Sequence, residues 1–286
     1  MFIYINGEFI EENEARISPF DHGFLYGVGV FETFRIYNGH PFLLDDHFQR
    51  LVSSLRELNI HYSMDKEQIL QILNRLLLLN NLTDAYVRFN ISAGEAPIGL
   101  QTEAYVKPNV IIFMKPLNAP LAREKKAVLL NTVRNTPEGE IRYKSHHYLN
   151  NIFGKREAPA FDTEGIFLTK EGFLAEGVVS NLFWVKNGQV FTPSVQTGIL
   201  NGITRRFVMS ILKLNKISCR EGFYKKNELL EADEIFVTNS IQEVVAITVV
   251  DNQRLTAENN LTKFLQDIYS KYTKQNVRTI KELERG

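Results

Sequence analysis

Lys144 stands in the stretch Ile141-Arg142-Tyr143-Lys144-Ser145-His146-His147-Tyr148-Leu149-Asn150-Asn151. A lysine attacks a carbonyl only when its ammonium sheds a proton near neutral pH. Most lysines are solvated surface charges, and Lys144 taken alone reads that way. Two later motifs change its weight: Leu174-Ala175-Glu176-Gly177 and Gly202-Ile203-Thr204-Arg205. The first supplies a carboxylate beside a glycine turn. The second has the form of a turn opening a helix, with Thr204 as its expected cap, and the N–H groups and dipole of such an end suit a phosphate.

Each of these residues also has a plain structural reading. Glu176 alone is an ordinary acid at a turn edge, and Gly202-Ile203-Thr204 alone is a capped helix. Arg50 falls off the apolar face of its expected helix, so it is either solvated or a phosphate clamp. His146 and His147 are adjacent and cannot present one metal face, so each reads as a satisfied or exposed imidazole. Taken together, an imine-forming amine, a carboxylate and a phosphate cradle are what a pyridoxal phosphate enzyme requires.

The elements that must position these groups can be read from turn signals and periodicity. Asn6-Gly7, Asn38-Gly39 and Asn187-Gly188 predict hairpin turns. Phe48, Leu51, Val52, Leu55 and Leu58 recur at helical spacing, which predicts a helix over residues 45–58. A second helix is expected over 66–80, and strands over 30–37, 85–91 and 110–114. The two prolines of Lys115-Pro116-Leu117-Asn118-Ala119-Pro120 mark a linker. After it come expected strands at 127–133, 165–169, 182–185, 234–238 and 244–250. Helices are expected over 147–158, 205–214 and 261–272, and the charged tail from Lys274 is expected to fray. The pattern is α+β, with domains at 1–115 and 124–286 joined by a linker at 116–123.

Composition narrows the function. In 286 residues, 33 Lys and Arg balance 33 Asp and Glu, so no basic excess points to nucleic acid. One cysteine, Cys219, allows neither an intrachain disulfide nor a thiolate cluster, and no metal site is expected. The first residues lack the pattern of a signal peptide, and apolar runs such as Leu76 to Leu79 are far too short to span a bilayer. A cytoplasmic location is the expectation.

The ordered motifs resemble the pyridoxal phosphate enzymes of fold type IV. That family includes branched-chain aminotransferases, D-amino acid aminotransferases and 4-amino-4-deoxychorismate lyases. The resemblance runs from Asn6-Gly7 through Asp21-His22-Gly23-Phe24-Leu25-Tyr26-Gly27, Val30-Phe31-Glu32-Thr33-Phe34-Arg35 and His47-Phe48-Gln49-Arg50-Leu51. It continues through the Lys144 segment, Glu176-Gly177 with Asn181-Leu182-Phe183, and Gly202-Ile203-Thr204-Arg205 to Ala232-Asp233-Glu234. It implies a small α/β domain and a larger domain with a mixed, barrel-like sheet and flanking helices.

By position, the resemblance implies that Lys144 holds pyridoxal 5′-phosphate covalently and then moves the substrate proton. Glu176 pairs with the pyridine nitrogen, and Arg50, Ile203, Thr204 and Ser240 bind the phosphate. Tyr148 lies beside the phenolic oxygen, and Leu200 packs on the ring. Phe31, Arg88 and Asn239 line the substrate side, with Arg88 and Asn239 offered to carboxylates. Tyr26 reaches in from the partner of a homodimer. His22, Thr33 and Arg35 are candidates for the group that helps a leaving group depart.

Within the family, the residues favour the lyases, which form 4-aminobenzoate and pyruvate for folate synthesis. Ala93 stands where the D-amino acid enzymes carry a carboxylate-binding arginine. Thr238-Asn239-Ser240 replaces the Gly-Thr pair of the branched-chain enzymes, and Lys144–Asn151 and Ser18–Gly27 look like lyase sequences of Gram-positive bacilli. The alternatives are a branched-chain or D-amino acid aminotransferase, and more remotely a non-catalytic scaffold.

Overall fold

A computed structural model describes residues 1–117, 122–255 and 258–285. Residues 118–121 of the expected linker lie outside these. The chain forms two compact units: Met1–Ala119 with Tyr143–His147 and Asn276–Thr279, and Pro120–Arg142 with Tyr148–Gln275 and Ile280–Gly286. The division expected from the two prolines is contiguous in sequence. The compact units are not, because the Lys144 segment folds with the first.

The first unit is built on an antiparallel sheet. Its strands are β1 (Phe2–Ile5), β2 (Glu8–Glu11), β3 (Gly29–Tyr37), β4 (His40–Pro41), β5 (Ala85–Ser92) and β6 (Asn109–Lys115), in the order β2-β1-β6-β5-β3-β4. The Asn6-Gly7 turn joins β1 to β2 with φ of 50° and 107°, the positive angles its sequence predicts. Helices α2 (Leu44–Glu57) and α3 (Lys66–Asn80) share one core with the sheet, through Leu51, Leu55, Ile69, Leu73 and Leu76 against Phe34, Val87, Phe89 and Ile112. Burying each such side chain stabilises by about 1.5–3 kcal/mol, which outweighs helix propensity in fixing these elements. A short helix, α1 (His22–Tyr26), is capped by Asp21, whose carboxylate accepts from Gly23 N at 2.6 Å.

The buried face of α2 differs from the periodic expectation. Its buried residues are Leu44, Asp46, His47, Ser54 and the expected Leu51 and Leu55, whereas Phe48, Val52 and Leu58 are only partly covered. The helix is turned so that His47 and Arg50, one turn apart, address Glu32 on β3. An apolar count cannot register a polar attraction of this kind.

The second unit carries a mixed sheet of nine strands: β7 (Glu124–Leu129), β8 (Thr163–Leu168), β9 (Leu174–Gly177), β10 (Asn181–Lys186), β11 (Gln189–Pro193), β12 (Cys219–Gly222), β13 (Glu234–Asn239), β14 (Glu243–Val250) and β15 (Gln253–Arg254). The order is β12-β11-β10-β13-β14-β7-β8-β9, with β15 on β14. Helices α4 (Leu149–Glu157), α5 (Ile203–Leu214), α6 (Lys226–Leu230) and α7 (Asn260–Thr273) complete it. The strand expected at 127–133 starts and ends earlier. Asn131 and Thr132 donate their N–H groups to the Glu157 carboxylate at 2.7 and 2.9 Å, which draws the chain off the ladder.

The tail does not fray. In the first unit, Leu43 N and Asp45 N donate to the carbonyls of Val277 and Arg278 at 3.1 and 3.0 Å. In the second, Ile280 and Leu283 are buried on a 3₁₀ turn, where residues three apart share a face. Charge count hid three apolar anchors: Val277, Ile280 and Leu283.

Candidate active site

In the first unit, Lys144 is placed by backbone hydrogen bonds. Phe31 N donates to Lys144 O at 2.9 Å, His146 N donates to Gly29 O at 3.0 Å, and Val30 bridges Ser145 antiparallel. The segment is a short extension of the β3 edge. Lys144 Nζ lies 4.6 Å from the centroid of the Phe31 ring, and Arg88 Cζ lies 3.7 Å from it. Both contacts are within cation–π range. Arg88 Nε donates to Asn90 Oδ1 at 3.2 Å, and among the described residues Arg88 has no carboxylate partner.

Arg50 is paired. Its Nε and Nη2 donate to the two oxygens of Glu32, both at 2.7 Å, and His47 Nδ1 lies 2.6 Å from the same carboxylate. Burial alone raises a carboxyl pKa, but Arg50 and then His47 overcome it and bring Glu32 down to about 2. Burial holds the His47 pKa low against the pull of Glu32. The fork uses two of the five guanidinium N–H groups and fixes the plane of the rest. Arg50 is therefore neither a solvated cation nor a core residue, its side chain being 17% exposed.

In the second unit, Glu176 is the penultimate residue of β9 and a buried carboxylate. Arg134 Nε donates to its Oε1 at 2.8 Å, and Leu200 N donates to its Oε2 at 3.0 Å. Asn181 Nδ2 lies 3.4 Å from Oε2 and also donates to Leu200 O at 2.8 Å. Arg134 is held in turn by Asn150 at 2.7 Å and Asn151 at 3.3 Å. Arg142 Nε stands 3.8 Å from Glu176; burial, then the charge of Arg134, lowers the Arg142 pKa to about 10.

Helix α5 begins at Ile203 after Gly202, which offers no capping side chain. Thr204 is not the expected cap but a buried first-turn residue whose Oγ1 lies 3.3 Å from Ser240 Oγ. Two hydroxyls at a helix N-terminus form a donor set for an anion. Asn239 shapes the loop that carries Ser240: its Oδ1 accepts from Ile241 N and Gln242 N at 2.9 and 2.7 Å, and its Nδ2 donates to Gln242. These bonds use one of the two Nδ2 hydrogens, so the amide keeps a donor for a ligand.

The chain matches the family model described as amino-transferase class IV over residues 29–250. It is 47% identical over 282 residues to an aminodeoxychorismate lyase of Bacillus subtilis, with 96% of each chain covered. It is 32% identical to a D-alanine aminotransferase of Bacillus licheniformis, over 93% of this chain and 95% of that one. The crystal structure of the Escherichia coli branched-chain amino acid aminotransferase superposes with a TM-score of 0.87 at 29% identity, covering 96% of this chain and 95% of that one. The chain belongs to the class IV aminotransferase family.

Not every sequence expectation maps onto an open site within this class IV fold. His22 is fully buried, with Tyr105 Oη at 2.8 Å and Pro97 O at 3.0 Å from its two ring nitrogens, so it braces a turn. Arg35 lies over Tyr37 at 4.6 Å, and Tyr26 Oη accepts from Gly99 N at 2.9 Å. Tyr148 precedes α4 as its N-cap residue. Ala93 is buried in the core of the first unit, where a guanidinium has no room without displacing packed side chains.

Several functional contacts were missed. The sequence did not show the Glu32 and Arg134 partnerships, although Glu32 sits in a strand with Val30, Phe31, Phe34 and Ile36 and such a carboxylate is itself a signal. Arg134 lies in an unpatterned stretch and gave none. The donor chemistry fits pyridoxal phosphate: a lysine amine, a clamped arginine, a fixed buried carboxylate, and hydroxyls at a helix start. Among the described residues, no group of His, Cys, Asp and Glu fits a metal ion.

Proposed function

We propose that this protein is a pyridoxal 5′-phosphate-dependent lyase that converts 4-amino-4-deoxychorismate to 4-aminobenzoate and pyruvate. The observation that carries the reading is the Phe31 ring with the Lys144 amine and the Arg88 guanidinium on it, a base beside a carboxylate receptor. Likeness to the Bacillus subtilis lyase over nearly the full length favours elimination over transfer.

Lys144 would hold the cofactor covalently through its amine, and the freed amine would serve as the base. Arg50, Thr204, Ser240 and the backbone at Ile203 would hold the phosphate and Glu176 the pyridine nitrogen, with Leu200 and Tyr148 as the residues for the ring and the phenolic oxygen. The bound cofactor supplies an electron sink. Lys144 Nζ, as general base, takes the proton from the carbon bearing the amine. The carbon–oxygen bond to the enolpyruvyl group breaks, the enol takes a proton to become pyruvate, and the ring gains aromaticity. Arg88 binds a substrate carboxylate, and Phe31 walls the substrate side. Asn239 serves by fixing the Ser240 loop.

A cytoplasmic homodimer completes the proposal. Support for a second copy comes from exposed apolar side chains in the first unit, Phe20, Phe24 and Leu25 around Tyr26, and in the second, Leu149, Ile152 and Phe153 on α4. No helix among the described residues is long and apolar enough to cross a membrane.

The test is incubation of the holoenzyme with aminodeoxychorismate and no keto-acid acceptor. Release of 4-aminobenzoate and pyruvate in equal amounts is expected. Amino exchange that requires an acceptor, without that release, would overturn the reading in favour of an aminotransferase. Borohydride treatment should fix the cofactor on the peptide containing Lys144.

A further inference from the structure

His146 carries more than its sequence position indicated. It lies two residues beyond Lys144 on the extended segment paired to β3, so the two side chains leave the same face of that segment. Its imidazole stacks on Phe31, with centroids 6.3 Å apart and planes at 28°, so Lys144, Arg88 and His146 all surround one phenyl ring. The seat is built for it: a Cβ on Gly29 would lie 2.5 Å from His146 Cε1 and 2.7 Å from the backbone oxygen of Ile91. Only glycine at 29 admits the ring.

The ring is also chemically incomplete. Nε2 is buried and has no hydrogen-bond partner among the described residues, a state that is costly unless something else completes it. Burial, then the charge of Arg88, pushes the His146 pKa down to about 4, while a backbone hydrogen bond at Val30 pulls weakly the other way. A hydrogen bond that favours the imidazolium is one that a ring N–H gives to a carbonyl. We assign that N–H to Nδ1, because Nε2 has no partner among the described residues, and the assignment leaves Nε2 holding a lone pair.

We infer that His146 is a substrate-contacting residue whose Nε2 accepts a hydrogen bond from the primary amine of the substrate as that amine arrives at Lys144. The inference rests on the reading of Lys144 given above. Arg88 has only donors to offer and suits the carboxylate, so an acceptor is what the same ring-lined surface needs for the amine. An amino group titrates near about 8 or higher, so an imidazole at about 4 cannot keep its proton. His146 orients the amine and leaves proton transfer to Lys144.

The experiment compares His146→Phe, which keeps a stacked ring and removes the nitrogen, with His146→Gln, which keeps an acceptor on a smaller side chain. Both are assayed as holoenzymes for KM and kcat on aminodeoxychorismate. Stopped-flow absorbance of the cofactor, on mixing with excess amino-acid amine, reports the exchange at Lys144 directly. Loss of one hydrogen bond of about 1.4 kcal/mol predicts a KM roughly tenfold higher for the Phe variant. Its exchange should weaken in parallel, its kcat should stay within about threefold, and Gln should restore most of the loss.

Wild-type KM and exchange in the Phe variant overturn the inference. So does equal weakening of both variants, which would mark ring packing on Gly29 as the whole role. If the Phe variant fails to fold, the Gln variant decides: near wild-type exchange supports the acceptor, and a loss like that of an alanine variant refutes it. A wild-type enzyme without lyase turnover defeats the proposed function instead, and the exchange measurement still decides the part played by His146.

Discussion

Replacing Glu32 by Gln separates two views of Arg50, as an anchored clamp or as a loosely held surface cation. Glu32 is buried and receives two guanidinium N–H bonds at 2.7 Å and the His47 contact at 2.6 Å. The amide keeps the shape, removes the charge, and turns one NH₂ against a donor of Arg50 or His47. Breaking a buried ion pair costs about 3–5 kcal/mol. An independent route gives a similar figure. The carboxyl falls from an ordinary 4.5 to about 2, which corresponds to roughly 3 kcal/mol of linked stability. Because the folded pKa is depressed, that stability is fully present above about 4.5 and is lost as pH falls toward 2.

Calorimetry of the cofactor-free protein at pH 7 should then show a transition lower by roughly 6–20 °C, at about 2–4 °C per kcal/mol for a chain of this size. The variant should also lack the part of the acid destabilisation that the wild type shows below pH 4.5. A transition within about 3 °C of wild type, with unchanged acid sensitivity, would refute the anchored clamp, since the fork would then contribute less than about 1.5 kcal/mol.

Other perturbations read different parts of the frame. Arg134→Leu leaves the buried Glu176 carboxylate without its guanidinium and should cost about 3–5 kcal/mol in thermal unfolding, with weaker retention of cofactor by fluorescence titration. Arg134→Lys should recover only part of both, since one ammonium cannot reproduce the fork. The folded pKa of His146 is depressed from 6.5 to about 4, so its stabilising contribution is complete above 6.5 and declines as pH drops to 4. The slope of Tm against pH in that window should flatten in His146→Gln. Asp21 accepts from Ser92 Oγ, Asn109 Nδ2 and Gly23 N, each at 2.6 Å. Asp21→Asn sets two amide donors face to face there, and urea denaturation should show a loss of about 2–3 kcal/mol.

Much of the frame was legible because it rests on local rules. The Asn-Gly turns, the apolar runs of β5, β13 and β14, and helices α3 and α7 follow from turn chemistry and periodicity alone. The misplaced face of α2, the early end of β7 and the anchored tail have a common cause. Each is decided by one polar or sparse apolar contact with a residue distant in sequence, which no window of neighbouring residues contains. The same holds within the site. Lys144, Glu176 and Arg50 could be picked out as residue types in motifs, whereas Glu32, Arg134 and the unpartnered nitrogen of His146 matter through the atoms opposite them. Asn239 carries a second part that its residue type did not announce: its amide fixes the turn that holds Ser240.

The Lys144 segment owes its position to backbone bonds with the edge of β3, and those bonds are indifferent to side-chain identity. A ladder has a two-residue period, so one deletion between β7 and Lys144 that slipped the pairing by a single place would send the ammonium to the opposite face and put Ser145 where it had been. Outside Lys144 and His146, tolerance to substitution along this stretch should accordingly be generous, and tolerance to insertion or deletion close to nil. In that sense the segment is a ruler before it is a reagent.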